Sequence, residues 1–281
     1  MISSTIRWLR SDLQASVSLG FLLLLALLAI AAPFIAPYSP TAQDLDNLLA
    51  DPSPQHLLGT DDLGRDILSR LIHGAPVTLY ASFLAVGIAI LLGVPVGLIA
   101  GFMGGWVDDA ISRFLDALLS FPAIVLAIAV TGALGIGLTN GMISVGIVFS
   151  PQLARLVRAR TLVVRRELYV DAASCFGATT GRILWKHVLP NTVQPVIVQV
   201  RLLLAAALLA EASLSFLGLG DPSIPTWGQM LQQGFQTGAL YVGYWWRVLP
   251  PGILIVLTAI VFMLLALGME AVVDPRMRER R

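Results

Sequence analysis

Two charged side chains, Arg201 and Glu211, stand inside otherwise apolar runs, and one polar stretch, Asp171 to Pro190, interrupts a chain that otherwise reads as membrane. Charge within an apolar span is costly, so it points to an ion or substrate pathway or to a side chain that reaches back to the interface. Arg201 lies about eight residues into its run, roughly 12 Å along a helix axis. It can either snorkel to the nearer interface or line a pathway. Glu211, near the far end of the same run, either lines a pathway mouth or meets the interface. Arg113 and Asp116 are spaced to neutralise each other one helical turn apart. Other chemistries lack their parts. Gly218-Leu-Gly-Asp221 offers one aspartate of a proton-sharing pair, but no second Asp is suitably placed and Pro222 marks a turn. The only lysine, Lys186, sits between Trp185 and His187, so the chain has no Gly-Lys-Ser/Thr loop to cradle ATP. One cysteine and three scattered histidines (His56, His73, His187) exclude a disulfide framework and supply no metal-ligand spacing.

The elements that must hold these residues follow from composition. With 57% hydrophobic and 12% charged residues, a soluble domain is excluded. A formal charge of +1 carries no footprint for nucleic acid. At roughly 20 residues per bilayer-crossing helix, charge-free runs and Gly/Pro punctuation predict an all-α membrane protein of six spans, near 18–36, 78–101, 113–134, 139–157, 193–216 and 250–271. The charge-free run from Ala117 to Ala154 is too long for one helix and breaks between Gly132 and Gly141. Six spans put both termini on one side. That side carries 14 Lys and Arg residues, against three (Arg65, Arg70, Arg247) on the other, so both termini are expected in the cytoplasm. Ala29-Ile-Ala31 fits a signal-peptide cleavage site. Cleavage there would separate the two basic regions across the membrane, which argues against it. The expected organisation is a cytoplasmic N-terminus (1–17), a first span (18–36) and an external segment (37–77). A five-helix core (78–271) follows, with a cytoplasmic loop at 158–191 and an external loop at 217–249, before a cytoplasmic tail (272–281).

The Asp171 stretch lies in the most basic part of the chain. Arg155, Arg158, Arg160, Arg165, Arg166, Arg182 and Lys186 fall within 32 positions, which places it on the cytoplasmic side. Tyr169 to Phe176 can form a short helix ended by a left-handed Gly177. Thr179 or Thr180 can then cap a second helix that stops before Pro190. The small Ala172 and Ala173 leave one face flat for close contact. This pattern resembles the E-A-A-x3-G-x9-I-x-L-P loop of ABC importer permeases. Asp171 stands for the Glu; Ala172, Ala173, Gly177, Leu189 and Pro190 match; His187 replaces the Ile.

Two external segments extend the resemblance. In the first, Thr60 or Asp61 can cap a short amphipathic helix carrying Leu63, Ile67, Leu68 and Leu71. In the second, Thr226 can cap another, with Trp227, Trp245 and Trp246 suited to the membrane interface. Leu58-Gly-Thr-Asp61, Leu63-Gly-Arg-Asp66, Leu68-Ser-Arg-Leu-Ile72 and Gly74-Ala75 are similar to motifs of the C-type permease subunits of dipeptide, oligopeptide and nickel importers. So are Gly104-Gly-Trp-Val-Asp108, Glu211-Ala-Ser-Leu-Ser-Phe-Leu-Gly-Leu-Gly220 and Trp227-Gly228. The similarity spans about residues 15–276. It weakens at Met263 to Arg276, where the family's Asn and first Asp are missing.

The resemblance implies a non-catalytic permease subunit of the bacterial cytoplasmic membrane, with no cofactor of its own. It would form a heterodimer with a homologous B-type permease. Two cytoplasmic ATPases would bind ATP and Mg, and an extracytoplasmic solute-binding protein would deliver solute. Asp171, Ala172, Ala173, Cys175, Phe176, Gly177, Leu189 and Pro190 would couple to an ATPase. Arg201 and Glu211 are pathway candidates, and Asp61, Asp62, Arg65, Asp66 and Trp227 are candidate contacts for the binding protein. Di- or oligopeptides are the expected solute, with nickel chelates, glutathione and other small solutes open. An ion-coupled secondary transporter using Arg201 and Glu211 is the competing class, but it leaves the Asp171 loop without a purpose.

Overall fold

The computed structural model describes the backbone of residues 13–273 and the side chains from 20 to 264 apart from Gln194; the terminal segments, including Asp274-Pro-Arg276, lie outside the described residues. Its elements are helical: α1 (Leu13–Ile35), α2 (Ile67–Met103), α3 (Gly105–Leu119), α4 (Ala123–Leu134), α5 (Leu138–Val164), α6 (Leu168–Cys175), α7 (Thr180–Ile183), α8 (Leu189–Phe216), α9 (Trp227–Gln236) and α10 (Leu249–Val273). A π turn at Leu184–Val188 joins α7 to α8, and a 3-10 turn at Trp245–Arg247 precedes α10.

The spine is α2 against α5. Along α2 a small residue recurs every fourth position: Ala81, Ala85, Ala89, Gly93, Gly97, Gly101, all buried. Residues four apart form one ridge of a helix, and small ones let backbones meet without a hydrophobic driving force in lipid. A Cβ on Gly93 would stand 2.7 Å from the Ser150 carbonyl oxygen, and one on Gly101 2.8 Å from that of Arg158. α5 is more polar than a lipid-facing helix, with Asn140, Ser144 and Ser150 along it. It can be so because α2, α4 and α8 surround it. α1 instead turns Leu27, Ile30 and Phe34 outward, as a lipid-facing helix does.

Helices cover five of the six expected spans; over the other, 113–134, the helix is broken rather than continuous. α3 and α4 meet at a 95° bend. Pro122 at the break has no N–H to continue the ladder and drives Phe121 out of helical backbone. α3 is also held across α5: Asp108 pairs with Arg158 and Asp116 with Arg155. Two aspartates eight positions apart on α3 thus meet arginines three positions apart on α5. The expected Arg113–Asp116 pair gives way to this interhelical one. Among the described residues, α2, the part of α8 from Pro195, and Trp245–Leu264 are each long and apolar enough to cross a bilayer, with a fourth crossing if α3 and α4 count as one.

The short helix expected after Thr60 is corrected too. Neither Thr60 nor Asp61 caps a short helix. Asp61 Oδ1 accepts from the Leu63 and Arg65 amides, closing a turn at Gly64, which has φ +72°. Asp66 is the cap, its carboxylate accepting from Ser69 N at 2.7 Å and Ser69 Oγ at 2.6 Å, and the helix it opens is α2 itself. Thr226 caps α9 as its position predicts, accepting from Gln229 N at 3.1 Å.

Candidate functional site

The Asp171 hairpin is built from local rules. Gly177 has φ +79°, its amide bonds to Ser174 O at 3.0 Å and the next amide, Ala178, reaches back to Ala173 O at 3.1 Å. These two bonds close the end of α6 as a Schellman motif, which needs a left-handed residue where Gly177 stands. Val170, Ile183 and Val188 are buried and join the main core, anchoring the hairpin to the helices beneath. The outer surface carries Leu168, Tyr169, Asp171, Ala172, Cys175, Phe176 and Trp185. Phe176 is 92% exposed, an apolar side chain held out from a rigid turn.

The second arm does not stop before Pro190. Through the π turn it runs into α8 and on to Phe216. Leu189 N bonds to Leu184 O, five residues back, and this wider turn lets the backbone pass a proline that cannot donate. Asn191 Nδ2 satisfies the His187 carbonyl at 2.7 Å. Leu189 and Pro190 are therefore the root of a long helix rather than the end of a loop. Beneath the hairpin, Arg165 donates from Nη1 to the carbonyls of Gly101 and Phe102 at 3.0 and 3.1 Å, a cation capping the C-terminus of α2. Arg155, Arg158 and Arg165 thus tie helices together, while Arg160, Arg166, Arg182 and Lys186 remain exposed.

At the other end of the bundle, the segment from Pro37 to Asp66 and the one from Leu217 to Val248 form one packed cap. Asp61 Oδ2 accepts from Arg65 Nε at 2.8 Å and from Arg70 Nη1, and Gln233 Oε1 on α9 accepts from Arg70 Nη2 at 3.0 Å. Arg247 donates to Asp62, and Asp66 meets His56 at 3.0 Å. Trp227 has no exposed surface; its indole donates to Leu71 O at 3.0 Å over Gly74. Asp61, Asp66 and Trp227, expected as outward contacts, therefore lie inside the cap. Asp61 is consumed by two arginines, Asp66 by capping α2, and Trp227 by the gap that Gly74 leaves. Arg65 is largely covered, and Asp62 is the most exposed of the five. Trp246 is likewise buried, whereas Trp245 keeps an exposed face. Asp221 forms a turn with Ser223, whose hydroxyl and amide hold its carboxyl below the usual carboxylate range.

Of the pathway candidates, Arg201 is half-buried on α8 and Glu211 is fully enclosed between α8 and α9. Sequence reasoning missed Gln233, whose amide bridges two arginines more than 160 residues away. It also missed the small-residue ridge of α2, although that ridge is written in the sequence at every fourth position.

A helical membrane bundle with a rigid hairpin at one end and a packed cap at the other is the architecture of a transporter's membrane subunit. The fold agrees: chains of the MetNI methionine ABC transporter in inward-facing conformations superpose with TM-scores of 0.57 and 0.58 at 22% and 23% identity, covering 73% of this chain and 96% of theirs. The family described as binding-protein-dependent transport system inner membrane component matches residues 93–279, and the N-terminal TM domain of oligopeptide transport permease C matches residues 3–52. The dipeptide transport system permease protein DppC of Alkalihalophilus pseudofirmus is 40% identical over 96% of this chain and 88% of its own length. The di/tripeptide permease DppC of Pseudomonas aeruginosa is 40% identical over 92% and 86%, and the glutathione permease GsiD of Pectobacterium atrosepticum 37% over 97% and 90%. The chain belongs to the family of inner membrane components of binding-protein-dependent transport systems. It is a non-catalytic permease subunit of an ABC importer.

Proposed function

We propose that this permease imports di- and oligopeptides by alternating access, driven through the Asp171 hairpin by separate ATPases. One observation carries the coupling: the hairpin is a rigid, closed turn whose second arm is continuous with α8. A push on Phe176 or Asp171 is then a push on a helix that runs to the external cap. The exposed Leu168, Phe176 and Trp185 suit a groove on an ATPase subunit. Counting α3 and α4, joined by the 95° elbow, as one broken crossing, with α1, α2, α5, α8 and α10 as the other five, keeps the basic segments on one side. Both termini and the hairpin then share the cytoplasmic side, where the exposed arginines also belong. A homologous second permease, two ATPases holding ATP and Mg, and a solute-binding protein over Asp62 and the cap complete the complex.

Peptide relatives among the most similar proteins support the substrate, and the glutathione permease keeps that tripeptide as the nearest competitor. The test is reconstitution with the co-expressed second permease, ATPases and binding protein. Labelled dipeptide should accumulate in vesicles on ATP addition, and the permease alone should hydrolyse no ATP. Uptake displaced by glutathione but not by other di- or tripeptides would replace the substrate reading. ATP-independent uptake driven by an ion gradient would replace the mechanism.

A further inference from the structure

The cap contains a feature that its packing role leaves unexplained. Five buried side-chain polar atoms among the described residues have no hydrogen-bond partner: Arg70 Nε, the Thr161 and Thr258 hydroxyls, Glu211 Oε2 and Gln229 Oε1. Hydroxyls can donate, and an arginine nitrogen must. Only the last two are acceptors alone, and both lie at the junction of α8 with α9.

The junction is tight and rich in oxygen. Glu211 is 1% exposed. Ser215 Oγ donates to its Oε1 at 2.8 Å, and the Thr226 hydroxyl lies beside the same carboxyl. The Gln229 amide nitrogen is committed to Gln232 Oε1 at 2.9 Å, which turns Gln229 Oε1 the other way. That oxygen and Ser215 Oγ converge on the space beside Gly220. A Cβ there would stand 3.0 Å from the first and 2.7 Å from the second.

Among the described residues, no basic side chain balances the carboxylate. α9, the described part of α10 and the N-terminal half of α5 carry no charged residue. The adjoining loop holds only Asp221, itself acidic and bonded to Ser223. On α2, Arg70 is bonded to Asp61 and Gln233, and His73 Nδ1 meets Ser69 O at 2.9 Å. Arg201 lies ten residues away on α8, roughly 15 Å along the axis. A buried carboxylate with neither a basic partner nor full hydrogen bonding costs several kcal/mol unless a positive charge joins it.

We propose that the α8–α9 junction is a binding site for one monovalent cation, in which Glu211 supplies the charge and Ser215, Thr226 and Gln229 supply neutral oxygens. A proton and an alkali-metal ion share this chemistry: each cancels the charge and meets the unpartnered oxygens. The site is independent of the peptide reading, since neither solute nor ATPase enters the argument.

The test uses the assembled importer in nanodiscs, with two readouts that need no transport. Melting is followed as sodium replaces choline at constant ionic strength, and the infrared difference between wild type and Glu211→Gln is searched for the C=O stretch of a protonated carboxylic acid. A sodium site should raise the melting temperature by about 3 °C at tenfold excess over its dissociation constant, and logarithmically with concentration beyond it. A proton site should show the carboxylic acid band at neutral pH with no sodium effect. Either signal should vanish in Glu211→Gln. The sodium effect should also be lost in Gly220→Ala, whose Cβ crowds Ser215 Oγ and Gln229 Oε1 without removing the Glu211 carboxyl. If Glu211→Gln does not fold, Glu211→Asp takes its place: it keeps the charge but should shift the acid band or weaken the sodium effect, and an unchanged band and melt would overturn the site. Wild-type protein with neither a cation-dependent melt nor a protonated carboxyl overturns the site.

Discussion

Gly146 on α5 rests on Ala85 of α2 so closely that a Cβ would stand 2.6 Å from the Ala85 carbonyl oxygen. The contact is backbone against backbone, so no side chain can swing aside to relieve it. Gly146→Ala and Gly93→Ala should each destabilise the bundle by about 1–3 kcal/mol through overpacking. Gly87, on the open face of α2 with nothing within 4 Å, is the control. Gly87→Ala should be neutral or stabilising by about 0.5–1 kcal/mol, from helix propensity alone. Thermal unfolding of the three purified variants checks the order. Equal melting temperatures would show that the ridge does not set the α2–α5 distance.

At Gly177 the constraint is different, because a Cβ there would meet nothing within 4 Å and only φ +79° resists a side chain. Gly177→Val should be penalised by about 1–2 kcal/mol of left-handed strain, or else extend α6 and re-aim Phe176. ATP-driven uptake should fall steeply while membrane insertion stays normal. Gly177→Asn, which tolerates the left-handed region, should retain most of the activity. Uptake equal to wild type in the valine variant would remove the hairpin from the coupling path.

What could be read in the sequence divides along the range of the forces involved. Gly177, Thr226 and the break near Gly135 act within a turn, through backbone conformation and capping, and their residue types declare it. Pro190 and Pro122 show the limit of the same vocabulary. Both signal a break, but one is absorbed by a π turn and the other becomes a 95° elbow, and the surrounding helices decide which. Asp61, Asp66 and Trp227 look like surface residues because their partners Arg70, His56 and Leu71 are matched to them only by the fold. The Asp116 pairing depends in the same way on where α5 runs.

Cys175 is exposed on the outer face of α6, away from the buried side where Val170 sits. It therefore reports sidedness directly. A membrane-impermeant maleimide should label it in inside-out vesicles and fail in right-side-out ones. Assembly with the ATPases should slow labelling, because Phe176 beside it would be covered. Ser174→Cys gives a second reporter on the same helix. Labelling from the outside would invert the topology and separate the hairpin from any cytoplasmic ATPase.

The cap makes the sharpest energetic prediction, because two ion pairs of similar appearance differ in burial. Asp61 and Arg70 are each about 3% exposed in their side chains, whereas Asp116 and Arg155 are more than half exposed. Truncating one partner of a buried pair strands the other charge, at a cost of about 3–5 kcal/mol. An exposed pair is solvated on both sides and is worth about 0–1 kcal/mol. Asp61→Ala leaves Arg70 and Arg65 both short of an acceptor and removes the turn that positions Gly64. Asp116→Ala leaves Arg155 in water. Chemical unfolding in detergent should therefore separate the two variants by several kcal/mol, with Asp61→Ala also loosening α9 through Gln233. Fluorescence of the buried Trp227 and Trp246 would register that loosening as a red shift before global unfolding. Similar stabilities for the two variants would mean that the cap is held by its apolar contacts, with the arginine network adding nothing.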